Sequence, residues 1–185
     1  MHLRPERQRD HAAVRALHRA AFGDNHGLVV ADLVDDLRSL VTADNGLSLV
    51  AEVDGTVSGH VMFTRSLLDA PRSLVDVHVL SPLAVLPANQ GQGIGSALIR
   101  HGLQVVAEQR VPAVFLEGDP GYYRRWGFRA GAPLGFRKPS LRIPDAAFQV
   151  MLLAAYEPWM TGTLVYSEVF WRHDAVGLRE ATSGS

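Results

Sequence analysis

The clearest change in the pattern of apolar and polar positions lies between residues 80 and 110. The apolar run 83–86 has the composition of a buried strand, and Pro87 ends it. Glycines follow at alternating positions, and from Ile94 to Val106 the apolar side chains recur at helical spacing. The pattern therefore predicts a strand, a tight glycine turn and a helix, in that order.

The segment before this unit predicts one short strand and two helices. Met1–Pro5 favours a strand, and Asp10 is a suitable N-cap for a helix whose apolar stripe stops at Gly23. Residues 24–27 predict a polar turn whose side chains are open to a substrate or to solvent. The second helix follows, and its apolar face carries Val30, Leu33, Val34, Leu37 and Val41.

Strands dominate the middle of the chain. Leu47–Val53 is rich in β-forming residues, and Asp54-Gly55 is the strongest hairpin signal, so an antiparallel partner is expected over Thr56–Thr64. Leu74–Val79 alternates in polarity and continues into the apolar stretch, which predicts one long central strand. Shorter strands are predicted at Ala113–Leu116, Phe128–Ala130 and Ala147–Ala154, with an irregular connection before the last of them.

Composition narrows the class of protein. The chain has 185 residues, of which 47% are hydrophobic, and this suffices for one substantial core in a single domain. The formal net charge of −1 and the pI of about 6.7 do not favour broad attraction to nucleic acid or to an anionic membrane. Cysteine is absent, which excludes disulfides, thiolate zinc sites and a cysteine nucleophile.

Targeting segments and metal motifs are not indicated either. The first ten residues are polar, and no apolar run approaches the ~18 residues of a membrane span, so a soluble cytoplasmic protein is expected. His60, Asp76 and His78 lie on predicted strands without the spacing of metal ligands, so no metal site is expected. Aromatic residues near the carboxyl end are sufficient to pack internally or to pair two copies in a homodimer.

The glycine turn has a chemical consequence. The first backbone N–H groups of a helix have no internal partner and lie at the positive end of its dipole, so a phosphate can approach them where side chains are missing. Alternatively, the glycines only permit a sharp turn. A dinucleotide-binding turn would need a glycine where Ser96 or Leu98 stands, but Glu117 lies about where a ribose-binding acid belongs. A nucleotide-binding oxidoreductase is therefore another alternative.

Two motifs, which follow each other along the chain, resemble those of one protein family. Residues 90–95 read Gln-Gly-Gln-Gly-Ile-Gly after the predicted strand, and residues 123–128 read Tyr-Arg-Arg-Trp-Gly-Phe. The first is similar to motif A of the GNAT superfamily, the GCN-related N-acetyltransferases. The second is similar to the family's tyrosine four residues before a Gly-Phe pair. The surrounding sequence looks most like the YhbS-like branch of predicted acetyltransferases.

This resemblance implies a fold and a cosubstrate. The fold is a single-domain α/β fold with a mixed, mostly antiparallel central sheet, a parallel pair of strands that splay apart, and flanking helices. The domain is expected over residues 1–176, with a flexible tail over 177–185. The cosubstrate is acetyl-CoA, whose pantetheine arm would pair with strand backbone in the splay. The residues expected to bind it are Leu83, Ala84, Val85, Gln90, Gly91, Gln92, Gly93, Ile94, Gly95, Ser96, Asp119, Tyr122 and Tyr123.

The implied reaction is direct transfer of the acetyl group to a primary amine of a small-molecule or peptide acceptor. Tyr123 matches the family's general acid, which protonates the departing thiolate. Many family members place a Glu base on the strand before motif A, but residues 79–82 here read Val-Leu-Ser-Pro, so Glu117 and His78 are the candidate bases. This departure leaves a non-catalytic acyl-CoA-binding or sensor module as an alternative. Basic residues suited either to the cofactor's phosphates or to solvent are Arg124, Arg125, Arg129, Arg137 and Lys138.

Overall fold

A computed structural model describes residues 1–42 and 44–179 of the chain. The first strand, the two helices, the run of strands and the helix after the glycine turn follow one another in the predicted order. In chain order they are β1 His2–Pro5, α1 His11–Phe22, α2 Asp24–Leu37, β2 Leu47–Val53, β3 Thr56–Asp69, β4 Leu74–Val85, α3 Ile94–Glu108, β5 Ala113–Glu117, α4 Pro120–Tyr123, β6 Arg129–Ala130, β7 Phe136–Arg137, β8 Phe148–Leu152, β9 Gly162–Val165 and α5 Glu168–Arg172.

The strands form one mixed sheet in the order β1-β2-β3-β4-β5-β8-β6, and β9 pairs with both β3 and β7. Most pairs are antiparallel, whereas β4–β5 and the short β7–β9 pair run parallel, which confirms the predicted mixed, mostly antiparallel sheet. Asp54 and Gly55 turn the β2–β3 hairpin with φ values of 50° and 78°. Two consecutive positive φ values match the twist of the flanking strands, which explains the strength of this turn signal.

The parallel pair β4–β5 separates after two residue pairs. His78 pairs with Val114 and Val79 pairs with Phe115, whereas β4 continues to Val85. The β3–β4 ladder is irregular at the same level, because Leu80 pairs with Phe63 but Leu83 pairs with Val61. Two residues of β4 therefore lie opposite one residue of β3. Such a bulge bends its strand, and here it accompanies the predicted splay.

Helices cover both faces of the sheet and divide the core in two. The first core cluster lies under α1 and α2 and includes Val34, Val79 and Phe115. The second lies under α3 and includes Leu80 and Leu98. Side chains beyond the bulge of β4 alternate between the two faces, so Leu83 and Val85 face α3 while Ala84 faces α1. The splayed end of β4 is thus accessible from two chemically different sides.

Residues 24–27, predicted as a polar turn, instead form the first turn of α2. The change of direction is confined to Gly23, whose φ is 69°. A Cβ at Gly27 would lie 2.7 Å from the carbonyl oxygen of Arg19, so this glycine serves the close approach of α1 and α2. His26 is exposed and contacts the Phe22 ring edge-on, with centroids 5.7 Å apart. Asp10 precedes α1 as predicted, but its carboxylate accepts from Arg4 and from the Arg7 backbone.

The carboxyl-terminal part of the chain contains two elements that the sequence pattern did not predict, β9 and α5. Strand β9 pairs with the end of β3, which extends beyond Thr64 to Asp69, and α5 follows β9. Gly177, where the flexible tail was expected to begin, donates its N–H to a carboxylate oxygen of Glu117 at 2.9 Å. The rest of that expected tail, residues 180–185, lies outside the described residues. No helix within the described ranges is long and apolar enough to cross a membrane.

Candidate active site

A cavity of about 540 Å³ opens where β4 ends and α3 begins. Its wall is formed by the α3-facing side chains of β4 and by the glycine turn. One side of α4 and the residues after α4 complete the wall. The lining residues are Leu83, Val85, Asn89, Gln90, Gly91, Gly93, Ile94, Gly95, Ser96, Tyr122 and Arg125. Most of the residues predicted to bind a cofactor therefore line one cavity.

The glycine turn presents a row of free backbone donors to this cavity. Gly91 and Gly93 have φ values of 75° and 82°, a conformation that side chains disfavour. Ala97 is the first residue after the turn whose N–H reaches a backbone acceptor, the Gly93 carbonyl at 3.0 Å. Over the part of the chain that the structure describes, the N–H groups from Gly91 to Ser96 have no protein acceptor. Convergent donors at a helix start fit a diphosphate.

Tyr122 and Arg125 form the opposite side of the cavity. A Cβ at Gly95 would lie 2.9 Å from the Tyr122 hydroxyl oxygen, so the missing side chain leaves room for the phenol. The Arg125 guanidinium carbon lies 4.9 Å from the Tyr122 ring centroid and 5.1 Å from the Trp126 ring centroid. Stacking on two aromatic rings orders this cation without neutralising it. The cavity thus combines free N–H groups with a positioned positive charge.

Tyr123 lies next to this cavity, toward the end of β5. A Cβ at Gly118 would lie 2.5 Å from Cε2 of Tyr123, so the phenol ring packs directly on this glycine. Its ring also meets Phe128 edge-on, with centroids 5.9 Å apart. Burial, together with the neighbouring Tyr122, raises the pKa of Tyr123 to about 12. The phenol therefore keeps its proton at neutral pH.

Glu117 ends β5 on the opposite face of the sheet, the face that α1 and α2 cover. Its Oε2 accepts the Gly177 N–H, whereas Oε1 is buried and finds no partner among the described residues. Burial raises the pKa of the Glu117 carboxyl, while the nearby Tyr166 phenol and the Gly177 N–H lower it, and the net shift is upward. A partly desolvated carboxylate with a raised pKa is suited to accept a proton.

His78, the other candidate base, lies away from both Glu117 and the cavity. It is in the last hydrogen-bonded part of the β4–β5 pair, on the side of the bulge away from the cavity, and its Nε2 lies 3.2 Å from Oδ1 of Asn45. Burial lowers the pKa of His78 to about 4. The structure therefore does not bring His78 together with Tyr123 and Glu117.

Some other residues predicted to bind the cofactor do not turn their side chains into this cavity. Ala84 faces α1, the Gln92 side chain binds the Ala88 carbonyl, and the Asp119 carboxylate caps the first turn of α4 through the Gly121 N–H. The predicted basic cluster is divided, because Arg137 and Lys138 line a separate cavity. There Lys138 pairs with Asp145, and Arg137 binds the Thr163 hydroxyl. Asn89 lines the candidate site but was missed, since its sequence context carries no recognisable motif.

This combination of fold and cavity defines an acetyltransferase class. The chain belongs to the GNAT family, because residues 2–131 match the acetyltransferase (GNAT) domain. Acetyl-CoA is the cosubstrate of this family, and the donor-lined cavity fits its diphosphate.

Three relatives extend this assignment over most of the chain. The uncharacterized N-acetyltransferase YjhQ of Escherichia coli is 34% identical and covers 83% of this chain and 84% of its own. The crystal structure of E. coli YhbS in complex with CoA is also 34% identical, with a TM-score of 0.80 and 92% coverage of both chains. A GNAT acetyltransferase of Brucella melitensis in complex with acetyl-CoA is 35% identical, with a TM-score of 0.70, and covers 91% of this chain and 97% of its own.

Proposed function

We propose that this protein transfers the acetyl group of acetyl-CoA to a primary amine by direct attack of the amine on the thioester. The observation that carries the proposal is the row of backbone N–H groups from Gly91 to Ser96, which meet no acceptor in the described residues and lie beside the splayed strands. With the diphosphate on these donors, the pantetheine arm extends along β4. Its amides pair with the β4 backbone that β5 leaves free.

The side chains around the splay supply an acid and a base. Tyr123 lies at the end of β5 on the α3 face, where it protonates the thiolate as the C–S bond breaks. Glu117 lies at the end of the same strand on the α1 face, where the amine enters and loses its proton. With an acid and a base on opposite faces of the splay, the amine loses its proton on one face while the thiolate gains a proton on the other. His78 is too far along β4 to share this site.

Two measurements test the proposal. Calorimetry with acetyl-CoA is expected to show saturable one-site binding, and NAD(P) is expected to show none. Thiol release from acetyl-CoA is then measured with polyamines, aminoglycosides, amino acids and peptides as acceptors. Binding without turnover on any amine would favour the non-catalytic sensor module, whereas absence of binding would contradict the cofactor site itself.

Glu117→Gln is expected to lower kcat/KM for the amine by about 100-fold, because general base catalysis contributes factors of this size. Glutamine retains an oxygen for the Gly177 N–H but cannot take the proton. Since burial raises the pKa of Glu117, activity of the parent protein should fall on acidification at a pH above the usual carboxyl range. The pH profile of kcat/KM checks both points. An unchanged acidic limb in the variant would exclude Glu117 as the base.

Arg125→Gln is expected to weaken acetyl-CoA binding by about 10-fold, because a hydrogen-bonded cation facing a phosphate is lost. Titrations with acetyl-CoA and with its analogue lacking the 3′-phosphate identify the contacted group. If Arg125 binds the 3′-phosphate, the substitution weakens only acetyl-CoA, and if it binds the diphosphate, both weaken equally. Arg124→Gln, at the adjacent exposed position, is the matched control and should leave both affinities unchanged.

A further inference from the structure

A second cavity, of about 340 Å³, lies beside β7 and β9. Its wall is mostly apolar and is formed by β7, β8, β9 and the segments that flank β7. The lining residues are Ala132, Phe136, Arg137, Lys138, Leu141, Asp145, Phe148 and Thr163. The cofactor cavity shares none of these residues, so the two cavities are distinct. The volume is at the lower end of the range for small-molecule sites, about 300 to 1000 Å³.

The charged side chains that line this cavity do not balance. The Lys138 ammonium lies 2.5 Å from Oδ1 of Asp145 and also donates to the Ile143 carbonyl at 2.6 Å. This pair neutralises one of the two cations. Arg137, the other cation, has no carboxylate partner within residues 1–42 and 44–179. The cavity therefore carries a net positive charge, which favours an anion.

The guanidinium of Arg137 is anchored at one nitrogen and available at the other two. Its Nε donates to Oγ1 of Thr163 at 2.9 Å, and the two residues pair with each other across β7 and β9. Its terminal nitrogens Nη1 and Nη2 meet no acceptor in the described part of the chain. Two N–H groups of a guanidinium match the two oxygens of a carboxylate. Because the anchor already orders the side chain, little freedom is lost when a carboxylate binds.

Apolar surface lies beside this cation. Leu141 is 93% exposed, so a ligand that covers it removes apolar area from water. Phe136 and Phe148 are almost completely buried. Both contact the core residue Phe115, with ring centroids 5.1 Å and 5.8 Å apart, so their part of the wall is rigid. The cavity thus combines an apolar wall with one anchored cation.

We propose that this cavity binds a small aromatic carboxylic acid, whose carboxylate contacts the terminal nitrogens of Arg137 while its ring covers Leu141. An aromatic ring supplies a large apolar area and has few rotatable bonds to immobilise. The volume suits one ring with a short carboxylate arm. The site is independent of the proposed acetyl transfer, because it lies outside the cofactor cavity and uses other residues.

Calorimetry with phenylacetate tests this inference. We expect saturable binding at one site. Phenylacetamide, which has nearly the same shape but no charge, should bind about 10-fold more weakly or worse, because hydrogen bonds between charged groups are lost. Arg137→Gln should weaken phenylacetate binding by a similar factor and leave phenylacetamide nearly unchanged. Arg129→Gln, at an exposed arginine on β6, is the matched control and should bind phenylacetate as the parent does.

NMR of nitrogen-15-labelled protein locates the ligand. Phenylacetate should shift the backbone amide signals of Lys138 and Leu141 and leave those of Gly91 and Gly93 in place. Acetyl-CoA should produce the opposite pattern, so the two sites are tested separately. The affinity for acetyl-CoA should also be the same with and without phenylacetate.

Absence of saturable phenylacetate binding would overturn the inference. Equal affinities for the acid and the amide would do the same, as would an unchanged affinity in Arg137→Gln. Competition between phenylacetate and acetyl-CoA would place the acid in the cofactor cavity and also refute the proposed site. None of these results bears on acetyl transfer, which thiol release with amine acceptors tests independently.

Discussion

Replacing Ser96 by proline is expected to weaken acetyl-CoA binding by about 10- to 100-fold, because it removes one backbone N–H group that would face the diphosphate. Ser96 lies in the first turn of α3, where its N–H has no acceptor among the described residues. Proline is tolerated in a first helical turn for this reason, and the residue before it is glycine, which accommodates the ring. The substitution therefore removes a ligand contact without removing a helix hydrogen bond.

Ser96→Ala is the matched control, since it removes the hydroxyl but keeps the backbone N–H. Calorimetry with acetyl-CoA should give this variant nearly the parent affinity, and thermal unfolding should show that both variants remain folded. Equal affinities for the proline and alanine variants would mean that the backbone donors do not hold the diphosphate. The cofactor site would then have to be placed elsewhere.

The second large effect is expected for Tyr123→Phe, whose kcat should fall by about 100-fold. The phenol packs on Gly118 at the end of β5, where the thioester sulfur would lie in the proposed complex. Burial raises the pKa of Tyr123, so its hydroxyl holds a proton until a thiolate forms beside it. Phenylalanine keeps the ring and its packing against Phe128, so the fold and the acetyl-CoA affinity should change little.

Tyr122→Phe separates the two adjacent tyrosines. Its hydroxyl lies against Gly95 in the cofactor cavity, so its loss should alter acetyl-CoA affinity and leave the chemical step nearly intact. Single-turnover measurements at saturating acetyl-CoA distinguish these effects. If Tyr122→Phe slows the chemical step and Tyr123→Phe does not, the roles of the two tyrosines must be exchanged.

The sequence predicts those parts of the fold that local chemistry determines. Asp54-Gly55 turns a hairpin because both residues adopt positive φ, and the glycine turn before α3 is read directly from its spacing. Strand β9 escaped prediction because its four residues are stabilised by pairing with β3, about which its own sequence carries no signal. Gly27 misled the interpretation, since a glycine in a polar segment normally indicates a turn but here permits contact between two helices.

The candidate site likewise has one part that local sequence predicts and another part that depends on pairing between distant segments. The cofactor cavity is built by neighbours in sequence, and its motif predicts most of its lining from Gln90 to Ser96. The placement of the candidate bases depends on the register of β4 against β5, which separates His78 from the site.

The bond between the Gly177 N–H and Glu117 ties the last part of the described chain to the carboxylate that we propose as the base. Leu178, the next residue, donates its N–H to the Arg142 carbonyl, so this strap is fixed at two successive positions. A fluorophore attached a few residues downstream should therefore sense protonation of the carboxylate. For the same reason, purification handles belong at the other terminus, where they do not pull on the group proposed to deprotonate the acceptor.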